Sequence, residues 1–195
     1  MVAKLAGATG NTVWAKGFGD GNAQAAYGVT IDASGNVVVS GDFKGTANFG
    51  AGAVTAPAGG SVFMVKYNSA GTYLWGNVFG TSDGGGIGSR SITTDPSGNY
   101  LLTGFVTAAE DFGKGFLLGT TMQTYICKYN TSGAAIWTKR VGPGSCSGLA
   151  VSSDSAGNVL SSGTFTGNPG NVDFGGGSMT SPSLAYDGYL VKYAP

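Results

Sequence analysis

Apolar residues along this chain come in short blocks cut by glycine, with no sustained helical period. From Tyr27 the pattern reads Gly28-Val29-Thr30-Ile31, a polar turn Asp32-Ala33-Ser34-Gly35-Asn36, then an apolar return Val37-Val38-Val39-Ser40-Gly41-Asp42-Phe43. β-Branched runs on either side of an Asp-x-x-Gly-Asn turn predict a hairpin, strands A and B. Val62-Phe63-Met64-Val65-Lys66-Tyr67 predicts a third strand, C, and Tyr73-Leu74-Trp75-Gly76-Asn77-Val78-Phe79 a fourth, D. Glycine interrupts every candidate helical window, so no helix is expected.

This unit recurs. Lys4, Lys66, Lys128 and Lys192 head equivalent strands at spacings of 62, 62 and 64, and Trp14, Trp75 and Trp137 follow at 61 and 62. The turn of the first full copy is repeated as Asp95-Pro96-Ser97-Gly98-Asn99 and Asp154-Ser155-Ala156-Gly157-Asn158. Such a period predicts one array of like units. It divides into strands C and D over 1–19, repeats over 20–80 and 81–142, and strands A, B and C over 143–195. Strands B and C are apolar on consecutive residues, which implies burial on both faces, and strand A is rich in Gly, Ser, Thr and Ala. Small residues suit a crowded inner strand. The expected fold is therefore all-β: propeller blades, each a four-stranded antiparallel meander, about three per chain. A β-sandwich is the main rival, but it does not require one unit at constant spacing.

Composition narrows the function classes. Ten basic and ten acidic residues leave no net charge, and no run of Lys or Arg could track a phosphate backbone, so no nucleic-acid partner is expected. No stretch approaches the roughly 18 apolar residues of a membrane span, and the first residues lack an apolar signal core. Histidine is absent, which removes the commonest general base and a usual metal ligand. Glu110 and Asp111 are adjacent and would point to opposite faces of a strand. Gly84-Gly85-Gly86 lacks the Lys-Ser/Thr of a phosphate loop. The expectation is a chain that is not an enzyme and carries no metal or cofactor. Cys127 takes a strand position held by Val65 and Val191 elsewhere, favouring a buried thiol; a bridge to Cys146 is the less favoured alternative.

The order Asp-x-Ser-Gly-Asn, a Val-rich strand, Asp/Asn-Phe-Gly (Asn48-Phe49-Gly50, Asp111-Phe112-Gly113, Asp173-Phe174-Gly175), then Val-Lys-Tyr-Asn-Ser-x-Gly-x-x-x-Trp resembles the bacterial SBBP repeats, named for a seven-bladed β-propeller. The resemblance covers essentially the whole chain. It implies blades and a secreted or cell-surface bacterial parent, and it does not imply catalysis. The turn is also similar to that of NHL repeats, which are shorter, and the Gly-x-x-x-Trp stretch looks like the tryptophan-docking motif of quinoprotein propellers.

Loop lengths suggest where a ligand would bind. The C–D interval from Lys to Trp is 10, 9 and 9 residues, whereas the D–A interval from Trp to Asp is 18, 20 and 17, and the Asp-to-Phe interval grows from 17 to 20 in the third copy. Variation therefore falls on the D–A and B–C side of the blades, the side where insertions often serve recognition. The candidates are the residues that break the repeat there: Asp20, Asn22, Gln24, Asp83, Arg90, Glu110, Lys114, Asn168 and Asn171. The recurring Asp, Trp and Lys positions are expected to be architectural.

The strand count is thirteen, with four C strands against three of every other type. Three blades do not close a ring of ordinary size, typically four to eight blades. The expectation is a homo-oligomer completed by strand pairing between copies, a head-to-tail dimer being favoured, with one C strand, the first or the last, left over. A start within a repeat also suggests a segment of a longer array or an engineered chain. Two functions remain in view: a self-assembling structural or interaction scaffold, and a lectin-like glycan binder that uses the irregular loop face.

Overall fold

A computed structural model describes residues 1–80, 85–119, 121–142, 145–166, 172–181 and 185–194. Among these residues all regular structure is β, and every strand pair is antiparallel. The chain opens with a two-stranded hairpin, β1 (Val2–Leu5) and β2 (Thr12–Lys16). The first full blade pairs β3 (Gln24–Ile31), β4 (Val37–Phe43), β7 (Ser61–Tyr67) and β8 (Tyr73–Gly80) in that order. The second is β9 (Ile87–Thr94), β10 (Tyr100–Val106), β13 (Gln123–Tyr129) and β14 (Ala135–Val141). The third holds three strands, β15 (Ser145–Ser153), β16 (Val159–Thr166) and β19 (Tyr186–Tyr193).

These are the thirteen strands expected. The remaining six lie in the B–C connections, each a miniature hairpin: β5 (Thr46–Asn48) with β6 (Ala53–Thr55), β11 (Glu110–Asp111) with β12 (Phe116–Leu117), and β17 (Val172–Asp173) with β18 (Ser178–Met179). The Asn/Asp-Phe-Gly motif folds this hairpin. Asn48, Asp111 and Asp173 each accept two backbone N–H groups from the following glycines, and Phe49, Phe112 and Phe174 turn inward. The hydroxyls of Tyr67, Tyr129 and Tyr193 then donate to the carbonyls of Phe49, Phe112 and Phe174 at 2.7, 3.1 and 3.0 Å, locking hairpin to blade.

The core lies between sheets. Val38, Val62 and Met64 of the first blade pack with Ile92, Tyr100, Leu102 and Tyr125 of the second. Leu101 and Ile126 of the second pack with Val151, Val159 and Tyr189 of the third. The opposite face of the first blade, with Val37, Val39, Phe63 and Val65, receives Val2 and Trp14 from the β1–β2 hairpin and Phe18 from the segment just after it. Alternate residues of one strand therefore serve two different seams, which is why strands B and C read as unbroken apolar runs. Inner strands meet through small groups: Thr30 Oγ1 lies 2.8 Å from Thr94 Oγ1, and Ser89 Oγ lies 3.1 Å from Ser40 Oγ.

Two irregularities recur in every full copy where they can occur. The A–B ladder skips one residue at Tyr27, Arg90 and Leu149, and the C–D ladder skips Val13, Leu74 and Ile136. A bulge leaves its extra residue out of the alternation. The bulged Val13, Leu74 and Ile136 are accordingly exposed although they sit in apolar strands.

Candidate functional site

The seams between blades carry a repeated polar clamp. Asp32 Oδ1 accepts the N–H groups of Ser34 and Asn36, and Oδ2 accepts the Asn36 amide. Asp95 and Asp154 do the same in their turns. The remaining acceptor capacity holds a lysine of strand C: Lys66 Nζ lies 2.9 Å from Asp32, Lys128 Nζ 2.8 Å from Asp95, and Lys192 Nζ 2.8 Å from Asp154. Burial opposes ionisation of Asp32, yet Asn36 and Lys66 hold its carboxyl well below the usual range.

The clamp then crosses to the next blade. Lys66 Nζ and Trp75 Nε1 both donate to the Thr131 carbonyl, at 3.3 and 3.2 Å, as Lys4 Nζ and Trp14 Nε1 do to Ser69, at 2.9 and 3.1 Å. Each indole lies over a glycine of the neighbouring C–D turn, Gly71 or Gly133, both at φ +85°. A Cβ there would stand about 3 Å from the ring. Lys4 and Lys66 are thus seam elements, in keeping with the architectural role expected of the recurring lysines.

The irregular loop face brings some of the sequence candidates together and separates others. Asp20 Oδ1 accepts the Asn22 N–H at 2.8 Å, the Asn22 amide at 3.0 Å and the Gln24 amide at 2.8 Å, while Oδ2 accepts the Thr46 N–H at 2.8 Å. These donors lower its carboxyl to about 2. Asp20, Asn22 and Gln24 therefore form one knot that ties the first D–A loop to β5. Arg90 sits apart from that knot, its guanidinium 5.0 Å from the Tyr27 ring centre, 4.9 Å from Phe105 and 3.5 Å from the Asp42 carboxylate. Asp42 also accepts the Ser89 N–H, and burial pushes its carboxyl up to about 6 against the pull of Ser89 and Arg90.

Gln24, Tyr27, Asp42 and Lys44 line a cavity of about 270 Å³ on this side of the first seam. Glu110 is buried in the β11–β12 hairpin and Lys114 is exposed at its tip. Asp83, Asn168 and Asn171 lie outside the described residues. Reasoning from sequence missed Asp42 and Tyr27. The available signal was position: Asp42 stands where the other copies have Phe105 and Thr164.

Both ends of the array expose what the interior buries. Val29, Ile92 and Val151 hold one position in successive A strands, yet Val29 is 61% exposed while the other two are 6%. At the far end Leu190 matches Met64 and Ile126; it is 71% exposed where they are 0% and 1%. Beside it, Phe174, Gly175, Met179, Val191 and Tyr193 line a cavity of about 370 Å³. The matching space in the first blade is about 40 Å³, because Tyr73, Gly76 and Val78 of β8 fill it.

No known family model matches the chain. A stretch of 88 residues is 33% identical to the Uncharacterized WD repeat-containing protein L264 of Acanthamoeba polyphaga mimivirus. That match takes in 41% of this chain and 6% of the viral protein, so the chain spans a small fraction of that relative's length. The fold and its repeated seams define a class: an all-β array of propeller-type blades.

Proposed function

We propose that this chain is a non-catalytic propeller module of the SBBP repeat type that assembles with copies of itself and serves as a structural or interaction scaffold. The observation that carries this reading is the exposure of Val29 and Leu190 against the burial of their counterparts. Each end face is one half of a seam that the molecule builds internally, so the two faces are complementary by construction. A head-to-tail contact buries both, and such a contact forms a ring if its rotation closes and a fibre if it does not. Two copies would supply six blades, within the usual range. A secreted or cell-surface setting for the parent protein rests on the repeat resemblance.

Native mass spectrometry or light scattering at micromolar concentration tests the proposal. The expected species is a multiple of 19.4 kDa, with the dimer leading. A single-chain mass across that range overturns it.

A second reading has one observation in its favour, the cavity lined by Gln24, Tyr27, Asp42 and Lys44. An aromatic ring beside hydrogen-bonding groups in a pocket of this size suits a sugar ring. A glycan array repeated with Tyr27→Ala decides it: selective binding lost in the variant supports a lectin, and a blank array with the folded parent chain rejects it.

A further inference from the structure

The self-assembly reading leaves open how a third blade of three strands meets a hairpin of two. We infer that β2 of a second copy is the fourth strand of the third blade, seated against β19, and that β1 is the surplus strand that gives way. This inference rests on the self-assembly reading and adds to it the identity of the joining strand.

The seat is defined by comparison within the molecule. The 370 Å³ cavity lies where strand D belongs: Phe174, Gly177, Val191 and Tyr193 line it, and their counterparts Phe49, Gly52, Val65 and Tyr67 surround Tyr73 and Val78 in the first blade. In that blade β8 pairs with β7 along its full length, from Ser61 opposite Gly80 to Tyr67 opposite Tyr73. Carrying this register to β19 by the repeat puts Val191 opposite Ala15, Lys192 opposite Trp14 and Tyr193 opposite Thr12. Asp187, whose Oδ2 is buried with no hydrogen-bond partner among the described residues, falls at the far end of the same edge, opposite Gly19.

β2 has the right shape and reach for this seat. Trp14 is the counterpart of Trp75, and Phe18 that of Phe79. Its present partner is short: β1 contributes four residues, whereas β19 offers eight in continuous pairing with β16. Exchange of β1 for β19 adds main-chain hydrogen bonds along an otherwise open edge. It also leaves undisturbed the contacts of β2 with its own first blade, namely Trp14 to Ser69, Trp14 to Tyr67 and Phe18 to Phe49.

The consequence reaches both end faces. With β2 of the second copy on β19, strands β15 and β16 of the first copy come to lie before β3 of the second, over Val29. Leu190 then faces a first blade, as Met64 faces the second. Every long strand except β1 is used, and each copy contributes three whole blades.

The test is a crosslink in the full chain. Ala15→Cys combined with Val191→Cys, treated with a short bis-maleimide, is expected to give a covalent species joining separate copies, while Ala3→Cys with Ala15→Cys gives little product in assembled material. Native Cys127 and Cys146 are buried and stay silent. Deletion of residues 2–6 is expected to raise the assembled fraction, because it frees the β2 edge. An assembled mass with no 15–191 product, or with β1 still linked to β2, sinks the strand exchange and leaves self-assembly standing. A single-chain mass in every variant sinks both.

Discussion

Lys66 places its ammonium 2.9 Å from the Asp32 carboxylate, with 7% and 9% of the two side chains exposed. Its counterpart, Lys192 with Asp154, has the same geometry at 56% and 32% exposure. A buried charge left without its partner costs about 3–5 kcal/mol, whereas a solvated pair contributes roughly 0–1 kcal/mol. Lys66→Met is therefore expected to lower unfolding free energy severalfold more than Lys192→Met, as read by urea denaturation. Equal losses would mean that the seam around Lys66 admits water.

The pH response separates Asp42 from the turn aspartates. Burial raises Asp42 to about 6 from 3.8, so the folded state holds its proton more tightly than the unfolded chain does. Its contribution to stability is complete below pH 3.8 and is lost as pH rises through about 6. Asp32, Asp95 and Asp154 are depressed, so theirs is present above 3.8 and lost on acidification. Asp42→Asn removes the first effect alone, and its amide oxygen can still accept the Ser89 N–H. The melting temperature of the variant relative to the parent should climb as pH goes from 4 to 7. A difference that stays level would show that Asp42 is solvated.

Much of the fold was legible because the repeat supplies three readings of each strand. The unbroken apolar runs of strands B and C gave burial on two faces, and the small residues of strand A gave its crowded contacts. The bulges at Tyr27, Arg90 and Leu149 were not legible, since three different side chain types share that position and a skipped residue leaves no pattern in a single strand. The Lys66–Asp32 pair was missed because lysine and aspartate are ordinarily exposed, and each was read within its own turn or strand. Their joint recurrence was the usable signal. Of the loop-face candidates, Asp20, Asn22 and Gln24 come together, and backbone and side-chain donors of the same loops occupy the Asp20 carboxylate. Arg90 could be placed only once Asp42 and Tyr27 were seen beside it.

The cysteines give a chemical check on seam integrity. Cys127 and Cys146 are free and buried, and burial pushes both thiols up. Cys146 Sγ accepts the Thr124 N–H at 3.3 Å and donates to the Val141 carbonyl at 3.1 Å, so it is held in the second seam. A thiol reagent at pH 8 should find no reactive group in the native protein and two after denaturation. Rapid labelling of Cys146 in native conditions would show that the second and third blades part readily.

Leu190 and Ile126 separate assembly from folding. They hold one position in strand C, but Ile126 is sealed between the second and third blades and Leu190 faces outward. Truncating a sealed aliphatic residue costs about 2–5 kcal/mol through lost transfer energy and the cavity left behind. Ile126→Ala should therefore lower the melting temperature of the single chain markedly. In a single chain Leu190→Asp removes almost no burial and should leave that melting temperature nearly unchanged. In an assembly the same change buries a carboxylate in an apolar seam with no cation provided, which is expensive. Leu190→Asp is thus expected to shift the native mass to one chain and leave the far-UV spectrum intact. If the variant assembles as the parent does, the exposed face of the third blade is not the contact between copies.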